Sequence, residues 1–226
     1  AIIDKSSDLT SGNVVTINIT TGSILFTGFM IKNGPDLTSI NANSSDPLST
    51  ITMSYNRLIG NGAGSLNGDF GLIAGYGEPA RIVFAYNEVN NTYNNVILLE
   101  QQVGSSEITH NLFKGQFPSI WNMTYGGTDI SNLQDISDNT FEMANTDPYS
   151  YASAIAFYSS YGGGSIGLGK YSNISITGNH IKNLPAAFAY TTKGIYLANG
   201  DPAGTGGKIS GAVISNNDIN GNSHTN

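Results

Sequence analysis

One six-residue pattern recurs through this chain and restricts what it can fold into. An apolar residue is followed by two residues of any kind, an asparagine, one further residue and a second apolar residue. The copies are Met53-Ser54-Tyr55-Asn56-Arg57-Leu58, Phe84-Ala85-Tyr86-Asn87-Glu88-Val89, Ile108-Thr109-His110-Asn111-Leu112-Phe113, Ile136-Ser137-Asp138-Asn139-Thr140-Phe141, Ile176-Thr177-Gly178-Asn179-His180-Ile181 and Ile214-Ser215-Asn216-Asn217-Asp218-Ile219. An earlier stretch, Leu25-Phe26-Thr27-Gly28-Phe29-Met30, fits with glycine in the asparagine slot. The slots fall at 28, 56, 87, 111, 139, 179 and 217, in steps of 28, 31, 24, 28, 40 and 38. Self-similarity at such a period is the mark of a solenoid, whose units bury their apolar faces only by stacking on one another.

Each copy reads as two short strands joined at a bend. Asparagine suits a bend because it tolerates left-handed backbone and its amide bonds nearby main chain. With rungs about 4.8 Å apart, successive asparagine amides come within reach of one another, as in other stacked sheets. One inner wall is then Leu25, Met53, Phe84, Ile108, Ile136, Ile176 and Ile214; the next is Leu58, Val89, Phe113, Phe141, Ile181 and Ile219.

Together with the opening Ala1-Ile2-Ile3-Asp4, Val14-Val15-Thr16-Ile17 and Gly28-Phe29-Met30-Ile31-Lys32-Asn33-Gly34, these repeats resemble the right-handed parallel β-helix of the pectate-lyase-like superfamily. The resemblance covers nearly the whole chain. It implies an all-β, single-stranded solenoid of about seven coils with an asparagine ladder, forming one domain over residues 1–226. It implies little about activity, because the fold hosts lyases, hydrolases, esterases, adhesins and tailspikes.

Composition narrows the partners. The 226 residues carry a net charge of -7, which argues against a nucleic-acid partner, and the nine basic residues are scattered. The absence of cysteine excludes disulfides and thiol chemistry. No apolar run is long enough to span a membrane and no signal peptide is visible. The chain starts at Ala1 and stops just after a repeat, as expected of a piece of something larger. Five N-glycosylation sequons start at Asn18, Asn43, Asn90, Asn122 and Asn173; in a chain this rich in Asn, Ser and Thr, chance accounts for them.

A third strand per coil is expected at residues 14–18, 39–43, 71–75, 96–100, 119–123, 154–158 and 194–198. Period-two alternation with Val15, Ile40, Leu72, Ile97, Ile120, Ile155 and Ile195 inward leaves Trp121, Tyr158 and Tyr196 outward on three consecutive coils. The connections that follow lengthen there, at residues 125–133, 159–171 and 199–208, and long loops gather on the binding face of a solenoid. Exposed rings stack on sugar faces, so Trp121, Tyr158 and Tyr196 are the expected ligand-binding residues. Further insertions fall at residues 60–70 and 142–153.

Catalytic candidates are weak. Glu100 lies outward one coil earlier, with Asp129 and Asp147 in loops as acid partners; a carboxylate serves as general base only with a tuned pKa and a partner. His110 and His180 read as surface turn residues. No metal-ligand spacing or Asp-x-Asp run occurs, so no metal or cofactor is expected; calcium is compatible with the fold but lacks a motif. The resemblance would require, for a polygalacturonase, adjacent aspartates with Gly-His-Gly and Arg-x-Lys. For a pectate lyase it would require a basic residue on the third-strand face beside calcium-binding carboxylates. For an esterase it would require paired Gln and Asp on successive coils. None is present, and Lys193 only precedes its expected strand.

The expectation is therefore an extracellular or cell-surface module that binds or displays polysaccharide. The alternatives are a polysaccharide lyase or glycoside hydrolase working from the loop-framed face, and a solenoid that self-associates end to end through exposed strand edges.

Overall fold

The computed structural model describes residues 1–4, 14–32, 40–60, 72–74, 78–92, 96–115, 118–124, 128–143, 153–159, 169–184, 193–198 and 208–221. Among these residues there is strand, turn and bend but no helix. Three long parallel sheets share the chain, which visits them in rotation. Sheet 1 holds Ile2–Asp4, Met30–Lys32, Arg57–Ile59, Glu88–Thr92, Leu112–Gly115, Thr140–Met143, His180–Leu184 and Asp218–Gly221. Sheet 2 holds Val15–Ile19, Ile40–Ser44, Leu72–Ala74, Ile97–Glu100, Ile120–Met123, Ser153–Tyr158 and Lys193–Ala198. Sheet 3 holds Ser23–Thr27, Thr50–Ser54, Arg81–Ala85, Ser106–Thr109, Gln134–Ser137, Ile174–Thr177 and Ala212–Ser215. Every strand pairs with its counterpart one repeat away, which fits a β-solenoid.

The core lies between the three sheets. Leu58, Val89, Phe113, Phe141 and Ile181 fill one column of sheet 1, each fully buried. Met53, Phe84, Ile108, Ile136 and Ile176 do the same in sheet 3. Each such side chain contributes about 1.5–3 kcal/mol by leaving water. Ile214 and Ile219 keep their inner register, but they sit in the last described strands of their sheets and are 48% and 44% exposed.

The first copy departs from the expected alignment. Phe26, not Leu25, pairs with Met53, and Leu25 is 63% exposed on the outer face. Gly28 therefore aligns with Tyr55, and Phe29 takes the asparagine slot, donating its N–H to Asn56 Oδ1 at 3.1 Å. The bend explains the shift. Left-handed backbone belongs to the residue before the asparagine: Gly28, Tyr55, Tyr86, His110, Asp138, Gly178 and Asn216, with φ between 54° and 76°. Glycine costs least there, so Gly28 fell into the turn slot and not into the asparagine slot.

The asparagines, freed from the turn, make the inter-repeat contacts. Asn111 Oδ1 accepts from the Asn87 backbone N–H at 2.8 Å and from Asn87 Nδ2 at 3.1 Å. Asn111 Nδ2 donates to the Phe84 carbonyl at 2.8 Å and to Asn139 Oδ1 at 3.0 Å. The same side chain to side chain bond runs from Asn56 to Asn87, from Asn139 to Asn179 and from Asn179 to Asn217.

The lengthened connections between sheets 2 and 3 are not wholly irregular. Asp129–Ile130, Lys170–Tyr171 and Lys208–Ile209 form a fourth parallel sheet. Ile130 and Tyr171 are buried, and the Tyr171 ring meets Phe157 edge-on at 5.2 Å. Residues 125–127, 160–168 and 199–207 of those connections, and residues 61–70 and 144–152 of the other expected insertions, lie outside the described residues.

Candidate functional site

Sheet 2 presents the expected ring residues on its outer side, though not as one column. Trp121 pairs with Ala156, which pairs with Tyr196; Tyr158 stands two residues further along, between Met123 and Ala198. Because Ala156 is small, the Tyr158 ring reaches both neighbours. Its centroid lies 5.5 Å from Trp121 at 57° and 5.5 Å from Tyr196 at 73°. The three rings are half-buried, with Tyr158 in contact with each of the other two. Tilted in this way they make a faceted aromatic surface and not the flat stripe that simple stacking of outward positions suggests.

Lys193 belongs to this face. The strand begins at Lys193, one residue earlier than expected, and its Nζ sits 3.6 Å from the Tyr196 ring centroid. A cation over a ring face is attracted by the ring quadrupole, so part of Tyr196 is already covered.

The carboxylate candidates are separated. Glu100 pairs with Met123, which pairs with Tyr158, so it shares a column with that ring two rungs away, roughly 10 Å at the strand spacing. It is the one carboxylate in the described strands of sheet 2. Asp129 lies on the fourth sheet, where Lys170 Nζ holds its Oδ2 at 3.1 Å. Asp147 lies outside the described residues. Among the described residues, no group of three or more His, Asp or Glu could hold a metal ion.

The inner corner between sheets 2 and 3 carries buried polar groups that sequence reading passed over. The Glu78 carboxylate accepts the Ser44 N–H at 2.7 Å and the Ala80 N–H at 3.0 Å. Burial raises its pKa above the ordinary carboxylate value, outweighing those two bonds. Gln102 donates to the Ala80 carbonyl at 2.7 Å, and Gln134 accepts from the Ser106 hydroxyl at 2.6 Å while donating to the Gly104 carbonyl at 2.9 Å. These amides satisfy backbone groups where the sheets part, and they are closed to ligands. Asn122 is a different case. It stands inward between Leu99 and Phe157, 1% exposed, and among the described residues neither of its amide atoms has a hydrogen-bond partner, whereas Gln102 lacks one only at Oε1. That burial also closes the Asn122 sequon to glycosylation, whereas Asn18 and Asn173 are exposed.

A second aromatic feature was legible but unread. In three successive copies the residue before the asparagine is Tyr55, Tyr86 or His110. Their rings stack, Tyr55 on Tyr86 at 5.1 Å and 4°, and Tyr86 on His110 at 4.7 Å and 23°. Beyond them Asp138 lies 3.8 Å from His110 Nε2. His180, by contrast, opens a strand of sheet 1, exposed and 3.6 Å from Asp218.

No protein-family model matches the chain, no curated protein matches it, and no solved structure matches it.

Proposed function

We propose that the chain is a right-handed parallel β-helix of about seven coils with an asparagine ladder, of the pectate-lyase-like kind. In this reading it is a non-catalytic extracellular or cell-surface module that binds polysaccharide on the outer face of sheet 2. The observation that carries the binding reading is the contact of the Tyr158 ring with both Trp121 and Tyr196 on that face. An aromatic ring offers an apolar face that matches a sugar's C–H face; the Trp121 Nε1 is buried, so that side chain contributes its ring face alone. Among the described strands of that sheet Glu100 is the one carboxylate, which supports binding over hydrolysis, since glycoside hydrolysis needs two carboxyl groups about 5–10 Å apart.

The test is affinity electrophoresis through gels holding soluble polysaccharides, followed by product analysis. Trp121→Ala is expected to abolish retardation, and Glu100→Gln to leave it intact. No retardation that depends on Trp121 in any gel would sink the binding reading. The register of Glu100 with Tyr158 favours a lyase or glycosidase as the second reading. In that case wild type releases products, and Glu100→Gln stops their release while retardation persists.

A further inference from the structure

We infer that the exposed end of the Tyr55–Tyr86–His110 stack is a second carbohydrate site, in which a neutral pyranose ring lies on the open face of Tyr55 over Gly28.

The stack sits at the bend between sheets 3 and 1, where every described repeat holds one residue in left-handed backbone. Gly28, Asp138, Gly178 and Asn216 are the small residues such a position favours. Tyrosine is disfavoured there, yet it occurs twice in succession, with φ of 54° and 57°. Local strain of this kind concentrates at functional positions. Burial does not account for it, because Tyr55 and Tyr86 remain 64% and 47% exposed.

The stack is closed at one end and open at the other. Tyr86 lies between Tyr55 and His110, so its faces are covered. Among the described residues, Tyr55 has a ring partner, Tyr86, on one side only. On its other side the equivalent residue is Gly28, where an added methyl group would meet no atom within 4 Å. A ring seated at the level of Gly28 would lie one rung from Tyr55, close to the 5.1 Å at which the stack already packs ring on ring.

Polar residues lie close to Gly28 and Tyr55 in the chain. Thr27, just before Gly28, is exposed, and Arg57, two residues after Tyr55, is exposed with its Nε 3.3 Å from Glu88. The occupant needs one apolar face for the phenol ring and polar groups around its edge. A pyranose has that form, with axial C–H bonds on its face and hydroxyls at its rim. The paired charge of Arg57 and Glu88 suits hydroxyls over a net anion or cation. The site is separate from the Trp121 face and stands or falls without it; occupied together, two sites on one polymer would raise retention through effective concentration.

The test uses the whole labelled chain on an array of neutral gluco-, xylo-, manno- and galacto-oligosaccharides, with Tyr55→Ala, Gly28→Asn and Trp121→Ala alongside. Gly28→Asn is the discriminating variant, since asparagine tolerates left-handed backbone and fills the opening while Tyr55 stays in place. At least one oligosaccharide signal is expected to fall about tenfold or more in both Tyr55→Ala and Gly28→Asn, the equivalent of one lost stacking contact. If Tyr55→Ala fails to fold, Gly28→Asn decides alone. Unchanged signals in Gly28→Asn, or no signal on the array, overturn the site. A loss confined to Trp121→Ala overturns this site and leaves the sheet 2 reading standing; a loss confined to Tyr55→Ala reports only the stack's support of the bend and also overturns it.

Discussion

Replacing Asn111 with alanine removes four hydrogen bonds at once. Its Oδ1 accepts from the Asn87 N–H and Nδ2, and its Nδ2 donates to the Phe84 carbonyl and to Asn139 Oδ1. The residue is 2% exposed, so water does not replace them. Asn87 Nδ2 keeps the Met53 carbonyl at 3.0 Å, and Asn139 Oδ1 keeps the Asn111 N–H at 2.9 Å. The Asn87 N–H is left without this acceptor. At about 0.5–1.5 kcal/mol net per bond, the expected loss is about 2–6 kcal/mol. Asn217→Ala is the internal comparison. Its three bonds reach the Asn179 N–H, Asn179 Nδ2 and the Ile176 carbonyl, but the residue is only half-buried and water can substitute, so about 0.5–2 kcal/mol is expected.

Asn111→Asp sharpens the test. The new carboxylate still accepts from Asn87, but its second oxygen then faces the Phe84 carbonyl and Asn139 Oδ1, both acceptors. Burial and that confrontation favour the protonated form, so the introduced group has a raised folded-state pKa. Its contribution to stability is fully present below the unfolded value of about 3.9 and is lost as pH rises through the folded value. The variant should therefore be weakest at neutral pH and recover on acidification. Urea unfolding followed by far-UV circular dichroism measures this, with amide hydrogen exchange to detect local opening, since repeat arrays need not unfold in one step. A loss under about 1 kcal/mol for Asn111→Ala, or an Asn111→Asp protein as stable as wild type at pH 7, would refute the reasoning.

Two further predictions concern the buried polar groups. Asn122→Leu keeps the approximate volume and deletes two unpartnered amide atoms between Leu99 and Phe157, so it should be neutral or stabilising by about 1–3 kcal/mol; a measured loss would mean the amide has a partner worth keeping. Glu78 has a pKa raised above 4.5 by burial, so its contribution is fully present below that value and is lost as pH rises through the folded-state value. Relative to Glu78→Gln, wild type should lose stability as pH climbs from about 4.5, and a difference in urea midpoint that stays flat with pH would count against it.

Sequence alone determined the repeat, the all-β character and most of the inner register. Period-two alternation and the spacing of Met53, Phe84, Ile108, Ile136 and Ile176 leave one way to bury those side chains, and the outer positions of Trp121, Tyr158 and Tyr196 follow from the same parity. Tertiary structure decided what parity cannot. The first copy slipped by one residue because glycine answers to backbone conformation and not to hydrophobic pattern, so Gly28 belongs with Tyr55. The outer rings formed a tilted cluster because contact depends on the size of the residue between them, Ala156, and on side-chain reach across columns. The fourth sheet arose because short segments in three successive connections came to lie one rung apart, which no single segment signals. The Tyr55–Tyr86–His110 stack joins residues 24 to 31 positions apart; only the stacking of repeats turns that sequence distance into ring contact.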